Sequence, residues 1–215
     1  PEYLSHLDET DEQPLRSAGL IDIPAAGSDD FRKWYQSNVY RQRQAGYATV
    51  TIALPLGDIT ADQLRALADI SRKYTRETLR TTVEQNIVIR WVSESDLPAL
   101  YKELAAADLA APGAGTVVDI VSCPGTDTCK LGISASRGLA GELRGRLIAR
   151  GEEVDEAVRN LRIKVSGCFN SCGQHHVSDL GFYGVSRKKG AYAVPHFQVL
   201  LGGQWGDNAG SYGLA

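Results

Sequence analysis

Two hydrophobic periods run along this chain, and each change of period marks a change of element. Tyr47 to Leu54 (YATVTIAL) is rich in β-branched residues and reads as a strand. Pro55-Leu56-Gly57-Asp58 turns the chain, and Thr60-Ala61-Asp62-Gln63 follows with the form of a capping box. In that motif the Thr60 hydroxyl accepts from the amide of Gln63, and the Gln63 side chain reaches back. Leu64, Leu67, Ala68 and Ser71 then lay a mostly apolar stripe along one helix face. Asn86 to Val92 (NIVIRWV) is the next strand, and Ser95 to Ala107 the next helix, with Leu97, Leu100, Tyr101 and Leu104 inward. Strand, helix, strand, helix in this order predicts an α+β or α/β unit with helices over a sheet.

Pro112-Gly113-Ala114-Gly115 is the expected boundary within the chain. Beyond it Thr116 to Val121 reads as a strand that runs into Cys123. Leu131, Ala135, Leu139, Leu143 and Leu147 recur every four residues and predict a helix over Lys130 to Arg150, stopped by Gly151. Leu161, Ile163 and Val165 alternate with Arg162, Lys164 and Ser166, a half-buried strand that delivers Cys168. Two further strands are expected at Val177 to Val185 and His196 to Leu201. The first thirty residues, with Pro14, Gly19, Pro24, Gly27 and several acids, read as a loosely structured lead-in. The glycine-rich tail GGQWGDNAGSYGLA reads as ending without a helix or strand.

Composition narrows the function. A chain of 215 residues makes one large domain or two small ones, and a net charge of −3 argues against a general nucleic-acid binder. No apolar run approaches the roughly 18 residues of a membrane helix. The acidic start PEYLSHLDETDEQ lacks the apolar segment of a signal peptide. The expected location is therefore the cytoplasm, where thiols stay reduced and four cysteines point to metal binding or redox chemistry.

The cysteines form two local pairs, Cys123/Cys129 with five residues between and Cys168/Cys172 with three. Each pair sits where a strand gives way to a turn, so both could meet at one sheet edge. Four converging thiolates suit a Cys₄ iron–sulfur cluster and equally a tetrahedral zinc site; burial and disulfides stay open as well. Five intervening residues is wide for a zinc knuckle. Gly125, Gly132, Gly167 and Gly173 crowd the thiols, which lets backbone amides approach sulfur, although plain turn chemistry also uses such glycines. His175 and His176 adjoin the second pair; in an extended segment adjacent side chains diverge, so at most one faces a metal.

Cys123-Pro-Gly-Thr-Asp-Thr-Cys129 together with Gly167-Cys168-Phe169-Asn170-Ser171-Cys172-Gly173 resembles the sirohaem-dependent nitrite and sulfite reductases, whose pattern pairs C-x₅-C with a later GCxNxCG. The likeness continues in Gly46-Tyr47, Leu54-Pro55-Leu56-Gly57, Leu79 to Ile87 (LRTTVEQNI), Asp179 to Gly184 (DLGFYG) and Leu201-Gly202-Gly203, and covers roughly Arg41 to the C-terminus. It implies an α+β protein: a lead-in over 1–40, a ferredoxin-like half-domain over 41–113, and an α/β sheet lobe over 114–215 carrying the iron–sulfur cysteines. It implies that Cys123, Cys129, Cys168 and Cys172 hold a [4Fe–4S] cluster, with Cys172 also bridging to sirohaem iron as the catalytic ligand. Gln85, Asn170 and Arg80 are implied as sirohaem contacts, Arg80 toward a carboxylate; Arg187-Lys188-Lys189 reads as a solvated turn. The implied reaction is six-electron reduction of nitrite to ammonia or sulfite to sulfide. The implied partners are a ferredoxin or flavoprotein electron donor and a small anionic substrate.

Members of that family resemble a duplicated protein, and this chain looks like the second copy. Thr49, Thr51 and Ala53 stand where the first copy places substrate-gripping cations, and the sheet lobe ends soon after Gly203. The expectation is a fragment or split subunit, truncated at its C-terminus and inactive without an N-terminal half. A structural Cys₄ zinc module and a cluster-only electron-transfer module are the alternatives.

Overall fold

The computed structural model describes residues 13–23, 27–151, 155–205 and 210–215. Of the expected lead-in, 1–12 and 24–26 lie outside these residues. The described chain divides into two compact units. One takes the residues up to Leu54 together with Ile59–Pro112; the other takes Pro55–Asp58 and Gly113–Ala215.

In the first unit β1 (Val39–Arg41), β2 (Tyr47–Ile52), β3 (Leu79–Thr81) and β4 (Ile87–Ser93) form an antiparallel sheet in the order β1-β2-β4-β3. Alternation along β2 buries Ala48, Val50 and Ile52. Against them pack Leu67 and Ile70 of α2 (Ala61–Tyr74) and Leu97, Leu100 and Leu104 of α3 (Leu97–Ala106). The capping box forms as its motif requires: Gln63 N donates to Thr60 Oγ1 at 3.2 Å and Thr60 N to Gln63 Oε1 at 3.0 Å. Near the end of β4 one extra residue opposes β2, since Ala48 and Val50 pair with Val92 and Ile89. Trp91 absorbs the bulge in the left-handed region (φ +62°), its amide donating to Gln42 Oε1 at 2.7 Å.

The sequence reading does not include the short strands β1 and β3, nor the helix that precedes β1. That helix, α1 (Asp29–Asn38), lies in the 1–40 lead-in, almost entirely beyond the thirty residues expected to be loose, and is capped by Ser28, whose Oγ accepts from Phe31 N. Phe31 and Trp34 are buried and meet the Tyr101 ring at 5.4 and 5.1 Å, so tertiary burial of two large aromatics holds this helix.

The second unit is a four-stranded sheet in the order β5-β6-β7-β8, from β5 (Val121–Ser122), β6 (Ile163–Ser166), β7 (Leu180–Lys189) and β8 (Tyr192–Leu201). The first two pairings are parallel and the last antiparallel. Helix α4 (Ser136–Arg150) lays Leu139, Ala140, Leu143 and Leu147 with Val117, Ile120, Ile163 and Val165, and a short α5 (Glu156–Arg159) precedes β6. Gly151 ends α4 with φ +52°.

Several expectations are corrected in this unit. The strand over Thr116 to Val121 shrinks to Val121–Ser122, because Thr116 Oγ1 and Asp119 Oδ2 bond Gly113 O and Gly115 N and curl the segment. Residues 130–135 are not helical: the amides of Ile133 and Ser134 both donate to Gly167 O, which leaves them no place in a helical ladder. Leu131, expected on the inner stripe, is exposed in consequence. Arg187, Lys188 and Lys189 are exposed on β7 rather than in a turn, and the tail pairs back through Leu201–Leu214 and Gln204–Ser211 bridges. The β6 strand is buried on both faces, Lys164 and Ser166 included.

Candidate metal centre

Parallel pairing of β5 and β6 decides where the cysteines go. Ser122 pairs with Val165, so both strands end at the same edge of the sheet and deliver Cys123 and Cys168 there, each buried. Cys123 N donates to Val165 O at 3.1 Å, and Cys123 Sγ accepts from Gly167 N at 3.1 Å. Cys129 and Cys172 lie farther along their loops and are exposed.

The loops interlock through backbone. Gly167 O accepts from Ile133 N at 2.8 Å and from Ser134 N at 3.0 Å. A Cβ on Gly167 would stand 2.6 Å from Gly125 Cα, and one on Gly132 would stand 2.7 Å from Gly125 C. Side chains at these positions would hold the loops apart, so the glycines crowding the cysteines are there for close approach. Ser136 closes the first loop, its Oγ donating to Cys123 O at 2.7 Å.

The second loop is fastened at its exit. Ser166 Oγ accepts from Gly173 N at 3.1 Å and lies 2.8 Å from His175 Nδ1. With Ser166 already accepting, its hydrogen is available to Nδ1, and the imidazole proton then sits on Nε2. That Nε2 is buried and has no hydrogen-bond partner. Burial pushes the His175 pKa down to about 4, with the neighbouring charge of His176 adding to it, so the ring is neutral near pH 7. The two imidazoles do not diverge as an extended segment would dictate. His175–Val177 forms a tight turn that sets the rings 4.1 Å apart, with His175 stacked on Tyr183 at 4.9 Å.

Among the described residues no three His, Cys, Asp or Glu side chains gather closely enough to hold a single metal ion. A tetrahedral zinc site needs four ligands about 2.0–2.3 Å from one ion. Four cysteines on two interlocked loops, the Gly167 amide already on the Cys123 sulfur, and an orphaned buried His175 Nε2 three residues beyond Cys172 fit an inorganic cluster. Asn170 is exposed on the second loop. In the first unit Arg80 is exposed on β3, and Gln85 takes φ +64° in the turn before β4, with its amide donating to Thr82 O at 3.1 Å. The sequence offers Ser166 as one of several hydroxyl donors beside the thiols, but its alternation with Ile163 and Val165 conceals the burial of Lys164.

Two family models match the chain: the nitrite/sulfite reductase ferredoxin-like half domain over residues 40–107, and the nitrite and sulphite reductase 4Fe-4S domain over residues 113–212. The chain belongs to the nitrite and sulfite reductase family, an oxidoreductase family whose cofactors are a [4Fe–4S] cluster and sirohaem. It is 30% identical over 191 residues to the ferredoxin–nitrite reductase of Synechococcus elongatus, covering 86% of this chain and 36% of that protein. Identity to the chloroplastic ferredoxin–nitrite reductase of Betula pendula is 34% over 218 residues, covering 94% and 36%. The Mycobacterium tuberculosis NirA structure superposes with a TM-score of 0.70 at 28% identity, covering 83% of this chain and 33% of that one. The fold is thus α+β with a ferredoxin-like half, as the sequence led one to expect. The chain spans about a third of the length of these relatives. No helix among the described residues is long and apolar enough to cross a membrane.

Proposed function

We propose that this chain is the cluster-bearing half of a cytoplasmic nitrite or sulfite reductase, its lead-in over 1–40, half-domain over 41–113 and cluster lobe over 114–215. Cys123, Cys129, Cys168 and Cys172 hold the [4Fe–4S] cluster, and Cys172 is the thiolate shared with sirohaem. The observation that carries this reading is the joining of both cysteine loops at Gly167, on the edge where β5 and β6 end.

When bound, the paired cofactors supply single-electron storage and a substrate-binding iron for six-electron reduction of nitrite or sulfite. The chain's own part is to fix four sulfurs, to present amides such as Gly167 N–H to sulfur, and to keep the buried pair of thiols away from water. Asn170, Gln85 and Arg80 contact sirohaem, Arg80 through a carboxylate. The chain works with a second, N-terminal half that completes the anionic-substrate site, a reading compatible with its matching only about a third of the relatives' length; the electron donor is a ferredoxin, as in the relatives' names, or a flavoprotein.

Anaerobic reconstitution with iron and sulfide tests the cluster. About four irons and four acid-labile sulfides per chain are expected. Serine at any one of the four cysteine positions should lower iron content, and the unaided chain should not reduce nitrite. A colourless chain holding one zinc, or turnover by the chain alone, would overturn the corresponding part.

A further inference from the structure

The inner polar face of β6 carries an arrangement that holding a cluster does not by itself require. Arg162, Lys164 and Ser166 alternate with the core residues Ile163 and Val165, a pattern that ordinarily gives the polar set to solvent. Yet Lys164 and Ser166 are each only 1% exposed. An ammonium is among the least favourable groups to bury, and its burial calls for a specific partner.

The segment that covers this face is the one leaving Cys172. Gly173 N donates to Ser166 Oγ at 3.1 Å, Lys164 Nζ donates to Gln174 Oε1 at 2.6 Å, and His175 Nδ1 meets Ser166 Oγ at 2.8 Å. Residues 164 and 166 lie on one face of the strand, so three successive residues of the loop are seated at two points. The Trp205 ring flanks the arrangement, with Lys164 Nζ 6.0 Å and the Arg162 guanidinium 5.8 Å from its centroid. Tyr183, paired with Ser166 in the ladder, stacks on His175 from β7.

Backbone strain on either side of Cys172 gives this seating a purpose. Ser171 (φ +59°) and Gln174 (φ +60°) are both left-handed and neither is glycine. Each such residue is strained and persists only where its surroundings dictate it. An unheld loop would relax, and the exposed Cys172 would move with it.

We propose that Lys164 and Ser166 form a two-point clamp, a pair of positioning residues that fix the Cys172 thiol by seating Gly173, Gln174 and His175. The ligand role of Cys172 rests on the function proposed above; the clamp is a property of the cluster-free chain and is tested there.

Hydrogen exchange and thiol alkylation of the full, cluster-free chain read it directly. In the unaltered chain the Gly173 amide should be as protected as those of β6. Ser166→Ala should speed Gly173 exchange about tenfold, the loss of one net hydrogen bond. It should also shift the His175 nitrogen signals away from the Nε2–H tautomer and raise iodoacetamide reaction at Cys172 relative to Cys129, the exposed thiol of the other loop. Ser166→Thr keeps the hydroxyl and should restore all three. Lys164→Met should raise the Cys172-to-Cys129 ratio without moving the tautomer. The clamp is refuted if Gly173 exchanges like an exposed loop amide in the unaltered chain, a measurement that needs no variant to fold. It is refuted equally if a normally melting Ser166→Ala leaves the tautomer and the Cys172 rate unchanged. Failure to load iron with the clamp intact would sink the proposed function and spare the clamp.

Discussion

Replacing Gly184 with alanine should break the junction between the two cysteine loops. A Cβ there would stand 2.1 Å from Gly167 O and 2.7 Å from Gly167 C, with Ser134 Cβ at 3.0 Å on another side. Backbone atoms cannot rotate aside as a flexible side chain can. The Gly167 carbonyl must therefore retreat by roughly 1 Å to reach ordinary contact, and that carbonyl accepts from both Ile133 N and Ser134 N. Two net hydrogen bonds at about 1 kcal/mol each, plus about 1–3 kcal/mol for overpacking, give about 3–5 kcal/mol. Segment-resolved hydrogen exchange is the suitable assay because it separates the two units. Peptides spanning 161–186 should exchange at least about a hundredfold faster, while those spanning 59–93 should be unchanged. Iron uptake should fall in parallel. Gly145→Ala is the control of opposite sign: nothing lies within 4 Å of that Cβ on α4, and alanine should stabilise by about 0.5–1 kcal/mol. A Gly184→Ala chain whose 161–186 exchange stays within about tenfold of the original would refute the reasoning, since that bound corresponds to about 1.4 kcal/mol.

Two further outcomes follow from single buried groups. His175 binds a proton below about pH 6.5 when unfolded but only below about 4 when folded, so its contribution is complete above 6.5 and is lost as pH falls toward 4. Urea midpoints should drop across that window by the equivalent of up to roughly 3 kcal/mol, and His175→Gln should flatten the slope; an unchanged slope would contradict the assignment. In the first unit the buried Asn86 Oδ1 accepts from Leu54 N at 2.8 Å, so Asn86→Ala should cost about 1–3 kcal/mol by denaturant unfolding, and an unchanged midpoint would contradict that role.

Legibility tracked whether a segment's neighbours in sequence were also its neighbours in space. The capping box at Thr60–Gln63 could be read in advance because both of its bonds close within four residues. Strand β2 was legible for a similar reason, its burial following the period of two, as does that of β4 up to its bulge at Trp91. Residues 130–135 carry a helical repeat yet spend their amides on Gly167, more than thirty positions away (Ile133 to Gly167 by number), and no local pattern announces that bond. Helix α1 had a capping serine and two aspartates in its first turn, but glycine and proline around it masked the signal, and its stability comes from Tyr101 and the core.

The order of cysteines, glycines and apolar residues was enough to establish the family and the α+β class, because each depends on residue identity at fixed spacing; spacing by itself left the centre open between an iron–sulfur cluster and zinc. Tertiary structure alone decided that β5 and β6 run parallel and so bring both cysteine loops to one edge, and that Lys164 and Ser166 face a loop instead of water. Pairing direction and burial of a polar face are set by long-range hydrogen bonds and packing between segments far apart in the chain, and a periodicity confined to a few residues carries no record of them.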